Sequence, residues 1–69
     1  MKVYLVLKYR KEYNVEQATE FLHLCDVIAV TISRELAADI ADANQYRTDP
    51  QKKAYIYKVE EFPVYGKLE

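Results

Sequence analysis

The chain opens with alternating apolar and polar side chains, a pattern that predicts a β-strand over residues 2–9. Val3, Leu5 and Leu7 fall on one face, because successive side chains of a strand point to opposite faces. The opposite face receives Lys2, Tyr4, Val6 and Lys8. The charged and polar stretch over 10–13 is interpreted as a loop that follows this strand.

The segment after that loop has two competing interpretations. Asn14 offers a helix N-cap, and Gln17 follows three residues later, as in a weak form of the capping box. Apolar side chains then recur at spacings of three, four and three, at Val15, Ala18, Leu22 and Cys25. That spacing predicts a short helix over 15–24. The alternative is an extended hairpin arm, because residues 21–24 are strongly apolar.

A nearly continuous, β-branched apolar run occupies residues 27–32. Such a run is typical of a strand covered on both faces, so we predict a central position for it in the sheet. Ser33 is a favourable N-cap for a helix over 34–46. The apolar positions of that helix are Leu36, Ile40 and Ala43, with Ala37 and Ala41 beside them. We expect the helix to end before Pro50, because a residue that precedes proline disfavours the helical conformation.

Residues 53–60 predict the last strand, and its alternation places Tyr55, Tyr57 and Val59 on one face. Pro63 limits further pairing beyond it. Together these elements predict an α+β fold, a small two-layer domain whose three-stranded sheet carries one or two helices on one face.

The element order depends on the ambiguous second segment. It is β-α-β-α-β if residues 15–24 are helical and β-β-α-β if they are extended. We expect a single domain over 1–65. Residues 66–69 are interpreted as a frayed C-terminal tail, in which Leu-Glu matches a common cloning remnant.

Composition excludes several classes of protein. The formal net charge of -1 argues against a general binder of nucleic acids or anionic membranes, because both favour a basic excess. A single cysteine cannot form an internal disulfide, and the one glycine, Gly66, excludes a glycine-rich phosphate loop. No apolar run is long enough for a signal peptide or a membrane span, so we expect a cytoplasmic location.

Candidate chemistry centres on the only histidine. On the predicted helix His23 would share a face with Glu16 and Glu20, and Asp26 follows. Such a set could bind a divalent metal, but without a second histidine or a cysteine pair a solvated helix face is favoured. Cys25 is expected to pack as a small apolar residue. We therefore predict no enzymatic activity, no cofactor and no metal, and keep a metal- or thiol-dependent activity at these residues as a minor hypothesis.

The small size of the chain favours a protein partner. A domain this short has a small core, and a three-stranded sheet with helices on one face leaves the other face bare. Tyrosine, with an apolar ring and a polar tip, suits an interface. We predict a non-enzymatic interaction module, a homodimer with a possible host-protein partner, that docks through Tyr4, Val6, Tyr55 and Tyr57. The competing interpretation places these tyrosines in the core of the monomer.

An alternative function is binding of single-stranded nucleic acid. Basic side chains interleaved with aromatic rings can contact phosphates and stack on bases. The residues that would form this patch are Lys8, Tyr9, Arg10, Lys11, Tyr13 and Lys58. The balance of acidic and basic residues makes nucleic acid the less favoured partner.

Three segments of the sequence are similar to a known group of proteins. They are Val3-Tyr4-Leu5-Val6, the run Val27-Ile28-Ala29-Val30 leading to Ser33-Arg34-Glu35-Leu36-Ala37, and Tyr55-Ile56-Tyr57-Lys58-Val59-Glu60-Glu61. This pattern resembles very small, uncharacterised proteins of bacteria, phages and prophages. The resemblance implies a β-β-α-β or β-α-β-α-β layout and an origin in a mobile element. It carries no active-site residues.

Overall fold

The computed structural model of the chain describes residues 1–64. Its elements are β1 (Lys2–Asn14), β2 (Thr19–Thr31), α1 (Arg34–Thr48) and β3 (Tyr55–Pro63). The strands form an antiparallel sheet in the order β2-β1-β3, and α1 packs on one side of it. The predicted two-layer α+β fold is confirmed, in its β-β-α-β order. The predicted tail over 66–69 lies outside the described residues.

The segment that resembled a first helix is the tip of a long hairpin. β1 and β2 pair along the whole hairpin from Tyr4↔Thr31 to Asn14↔Thr19, with two shifts of register. The Asn14 side chain accepts a hydrogen bond from the Gln17 N–H at 3.1 Å, so the expected cap closes a turn instead of starting a helix. The predicted helix over 15–24 and the predicted loop over 10–13 are therefore wrong, and the extended arm is confirmed.

Two β-bulges explain why the sequence resembled a helix. The pairing of β2 with β1 skips Ile28 and Cys25, which have no single partner of their own. Each bulge adds one residue to β2, so two side chains that are three residues apart across a bulge lie on the same face of the sheet. As a result Leu24, Val27 and Val30, spaced by three residues, all face the same way. A spacing of three is typical of a helix, but the bulges make the same spacing compatible with a strand.

The central strand is β1 and not the apolar run over 27–32. β1 pairs with both of its neighbours, whereas β2 has a free outer edge. Val6, in the middle of β1, is completely buried. The predicted central position of 27–32 is therefore wrong. An apolar run is also compatible with an edge strand when one face of the sheet is left open.

The helix begins and ends where the sequence indicates. The Ser33 side chain accepts a hydrogen bond from the Leu36 N–H at 3.1 Å, which confirms the predicted N-cap, and α1 ends before Pro50. Its contact face is rotated from the prediction, however. The residues of α1 nearest the sheet are Ala37 and Ala41, which pack on Val6, while Leu36 and Ala43 are exposed. Methyl groups at these two positions let the helix backbone approach the sheet closely.

A buried glutamine joins the end of α1 to the outer edge of β3. The Gln45 amide nitrogen donates to the carbonyls of Asp49 at 2.7 Å and Tyr55 at 2.8 Å. Its amide oxygen accepts from the Tyr57 N–H at 2.9 Å. The side chain thus takes the place of the peptide groups that a further strand would supply. It provides hydrogen-bond partners for backbone groups at the outer edge of β3, which the fold buries.

The carboxylate of Asp49 continues this edge contact. It accepts hydrogen bonds from the backbone N–H groups of Ala54, at 2.5 Å, and Tyr55, at 2.9 Å. These two bonds hold the pKa of Asp49 below its ordinary value of 3.8, because they stabilise the charged form. The loop between α1 and β3 is therefore fixed at both ends, by the Gln45 amide and by this carboxylate.

Removing the Gln45 amide should destabilise the fold more than any comparable surface change. We expect Gln45→Ala to lower the free energy of unfolding by about 2–3 kcal/mol, because two groups at the β3 edge lose their partners. Urea denaturation followed by circular dichroism measures this change. Gln51→Ala, at an exposed position of the loop, is the matched control and should change it by less than about 0.5 kcal/mol. Equal effects of the two substitutions would contradict the role of Gln45.

The stability contributed by Asp49 should depend on pH with a defined sign. Its native pKa is lowered, so the unfolded chain binds more protons near and below pH 3.8, and the contribution, complete above that pH, is lost as the pH falls. We expect Asp49→Asn to be less stable than the unsubstituted chain at pH 7, with the difference shrinking at pH 2–3. Urea midpoints across this pH range test it. Asp39→Asn, on an exposed part of α1, should leave the pH profile unchanged.

Candidate functional site

The face of the sheet beneath α1 contains all four residues predicted to dock a partner. Val6 lies in the cluster with Ala37 and Ala41, and Tyr4 and Tyr57 pack against that cluster. The expectation that this face would be left bare is wrong. Whether the chain associates with a partner is a separate question, and it stays a prediction.

The tyrosines lie under α1 because the helix contacts the sheet through alanine. Short methyl groups leave space at the margins of the contact, and the long tyrosine rings fill it. The Tyr57 hydroxyl donates to Thr48 Oγ1 at 3.1 Å, and the Arg34 guanidinium lies 5.5 Å from the centre of the Tyr4 ring. At Tyr55, the first residue of β3, the ring is covered by the Lys8 ammonium at 4.5 Å. Each of these three rings is therefore in contact with a group of the same chain.

The opposite face of the sheet has no covering element among residues 1–64, and we call it the open face. Cross-strand partners share a face, so the register defines its members. From β1 they are Val3, Leu5, Leu7, Tyr9, Lys11 and Tyr13. From β2 they are Glu20, Leu22, Leu24, Val27 and Val30. From β3 they are Ile56, Lys58, Glu60 and Phe62. Most of this surface is aliphatic or aromatic.

Exposure varies systematically across the open face. Leu7 lies at its centre and is only 6% exposed, because side chains on all three strands surround it. Towards β2 the aliphatic groups become accessible, with Val27 45% and Val30 62% exposed, and on β3 Phe62 is 45% exposed. Contiguous exposed apolar surface of this kind marks interaction sites in soluble proteins.

Two charged side chains lie within the apolar part of the open face. Lys58 and Glu60 are two residues apart on β3 and pair with Leu7 and Leu5 of β1, respectively. The Lys58 ammonium lies 5.7 Å from the centre of the Tyr9 ring, which holds this cation against the face by a cation–π contact. None of the ion pairs found among the described residues involves either side chain.

Both outer edges of the sheet are protected against further strand pairing. At β3 the protecting groups are Gln45, Asp49 and the ring of Pro63, which has no N–H to donate. At β2 the two bulges interrupt the edge, and the Asp26 carboxylate accepts from the Val27 N–H at 2.8 Å. Bulges and inward-bonded acidic groups are devices that prevent edge-to-edge association. The open face is thus the principal unpartnered surface of the described residues.

The predicted nucleic-acid patch is divided between the two faces. Tyr9, Lys11, Tyr13 and Lys58 belong to the open face, whereas Lys8 and Arg10 lie on the α1 side. Arg10 also forms an ion pair with Glu12. The ammonium groups of Lys8 and Lys58 lie over tyrosine rings of the same chain. The six residues therefore do not form one continuous strip, and nucleic-acid binding stays an untested prediction.

A shallow groove of about 320 Å³ lies at the start of α1, lined by Tyr4, Arg34, Ala38, Val59 and Glu61. Its carboxylate, Glu61, is already paired with the Lys2 ammonium at 2.7 Å and the Arg34 guanidinium at 2.6 Å. Hydrogen bonds from Lys2 and then Arg34 lower the pKa of Glu61. The charged groups in the groove satisfy one another and leave no group directed at a ligand.

The residues of the minor metal hypothesis are spread along the hairpin. His23 and Asp26 lie on β2, where each residue advances the chain by about 3.3 Å, so the helical face that would have gathered them with Glu16 and Glu20 does not exist. Within residues 1–64 no group of three or more potential metal-ligating side chains converges. Cys25 is exposed at a bulge, so the prediction that it packs as a buried apolar residue is wrong.

Among residues 1–64, no helix has the length and apolar character that crossing a membrane requires. Comparison with known proteins gives no match to a family model, to a curated protein or to a solved structure. The function therefore has to be inferred from the surface of the chain itself.

Proposed function

We propose that the protein is a self-associating interaction module whose docking surface is the open face. The observation that carries the proposal is the continuous apolar surface around Leu7, which none of residues 1–64 covers. The two protected edges support it as well, since they direct association away from strand addition. The proposed occupant of the open face is a second copy of the chain.

The size of the open face is adequate for a dimer. Strands of 13 residues extend about 43 Å, and neighbouring strands are separated by about 4.8 Å. β1, β2 and the shorter β3 then present about 550 Å² in projection. Two such faces in complete overlap would remove at most about 1,100 Å² from solvent, which lies just below the about 1,200–2,000 Å² of standard specific interfaces and is typical of a weaker association.

The apolar character of the surface favours a second copy over nucleic acid. Packing of two such faces produces a β-sandwich, in which inner side chains form a core about 10 Å thick. A nucleic-acid groove would need a continuous run of cations, and here these are divided between two faces. The host-protein partner and the mobile-element origin implied by the resemblance stay predictions.

A single lysine on the open face should prevent association. We expect the unsubstituted chain to have twice its 8.1 kDa mass by size-exclusion chromatography with light scattering at tens of micromolar. Val30→Lys places an ammonium in the aliphatic part of the proposed interface contributed by β2, and burying it without a partner is costly. We expect the dissociation constant to rise at least about tenfold, which is about 1.4 kcal/mol.

The matched control is Val15→Lys, the same substitution in the hairpin turn, where the side chain is already 81% exposed. It should leave the dimer intact. Circular dichroism establishes that both variants are folded. A strictly monomeric unsubstituted chain, or a Val30→Lys variant that dimerises as tightly as the control, would refute the proposal. Strong, salt-sensitive binding of labelled single-stranded DNA by a monomer would favour the alternative function instead.

A further inference from the structure

We infer that two copies dock with their strands antiparallel across the interface, in a register set by Lys58 of each copy against Glu60 of the other. This inference rests on the proposed function and adds the orientation and the residues that specify it. The evidence is the order of side chains that each strand presents on the open face. That order is self-complementary about a single point.

The pattern on β3 identifies this point. Its four side chains on the open face are, in order, Ile56, Lys58, Glu60 and Phe62. Reversed, the order becomes apolar, acidic, basic, apolar, so every position meets a compatible partner. A two-fold axis crossing the strands at the level of Val59 brings each ammonium opposite a carboxylate and each apolar side chain opposite another.

The same axis suits the other two strands. Val59 pairs with Val6, so on β1 the axis falls midway between Leu5 and Leu7. Leu5 of one copy then meets Leu7 of the other. On β2 the partners at these two levels are Val30 and Val27, which likewise exchange places. At these two levels the contacts on both strands are therefore aliphatic, and one step farther from the axis on β1 Val3 meets Tyr9.

Alternative arrangements lose the charge pairing. A two-fold axis parallel to the strands places β2 of one copy over β3 of the other, so Lys58 meets Val27 and Glu60 meets Val30. Both charges would then be desolvated against methyl groups, which is unfavourable. Moving the crossed axis by one residue along β3 sets Lys58, or Glu60, against the same residue of the other copy. Moving it by two residues sets Lys58 against Ile56, or Glu60 against Phe62. Among these aligned packings, only the axis at Val59 pairs the charges.

Sheet twist does not remove this pairing. Packed sheets of a sandwich cross at about -30°, so opposed rows separate progressively with distance from the axis. Lys58 and Glu60 each lie one residue from the level of the axis, and β3 is the strand next to β1. They are therefore in the region where the two sheets remain close. Because a two-fold axis repeats each contact, the dimer gains two identical ion pairs.

The test uses complementary charge reversals. In Lys58→Glu two carboxylates meet at each pair, and in Glu60→Lys two ammonium groups meet. We expect each variant alone to dimerise at least about tenfold more weakly than the unsubstituted chain. Mixed in equal amounts, the two variants present opposite charges at both pairs and should form a heterodimer. The double variant K58E/E60K should dimerise with itself.

Light scattering measures the masses, and native mass spectrometry of an isotope-labelled mixture identifies the heterodimer. The controls make the same charge changes away from the open face, as Lys53→Glu in the exposed loop and Glu35→Lys on α1. These should dimerise like the unsubstituted chain, alone and mixed. Recovery of association on mixing also demonstrates that the single variants are folded.

The outcomes separate the inference from the proposed function. If Val30→Lys abolishes the dimer but both charge reversals dimerise normally, the open face is used in another orientation and the inference is wrong. It is also wrong if the reversals weaken association and mixing does not restore it. If the unsubstituted chain is monomeric, the proposed function and the inference fail together.

Discussion

The structure depends on the contact between one alanine-faced helix and one face of a three-stranded sheet. A 15-residue helix is about 22 Å long and about 10 Å wide, so α1 covers at most about 220 Å² of a sheet face of about 550 Å². Tyr4 and Tyr57 extend the covered area at its margins. No second layer exists for the other face among residues 1–64, so the apolar side chains around Leu7 are buried only by one another. One face of the sheet is therefore covered by the helix, and the other face has no covering layer among residues 1–64.

The sequence predicts the elements with local signals and fails where the fold overrides them. The Ser33 cap, the proline stop after α1 and the alternation of β1 are local features, and each is found in the structure. The hairpin arm was ambiguous because a bulge depends on pairing with another strand, and the spacing of Leu24 and Val27 alone fits a helix equally well. Pairing partners are not visible in a single sequence without turn signals such as Asn-Gly, which the turn over 15–18 lacks.

The face that the helix covers differs from the prediction for a related reason. Alternation correctly separates Tyr4 and Val6 from Leu5 and Leu7, but it does not state which set a helix covers. Tyrosine suits an interface, yet the short alanine contact of α1 also leaves room for long rings inside the monomer. The aliphatic side chains of β2 on the open face, Leu24, Val27 and Val30, follow one another at a spacing of three residues. That spacing predicts a shared face of a strand only if a bulge lies between each pair.

The protected edges and the self-complementary face together favour the closed dimer that we propose. Edge pairing adds strands without limit, whereas two faces related by a two-fold axis cover one another and leave no third site. Asp26, Gln45 and Pro63 block the first route, and the opposite charges of Lys58 and Glu60 give the second a single register. A face of leucine and valine alone would slide, since every shift of two residues places aliphatic groups against aliphatic groups. Two charges of opposite sign, placed symmetrically about Val59, would make each shift costly, so the dimer that we propose would be closed.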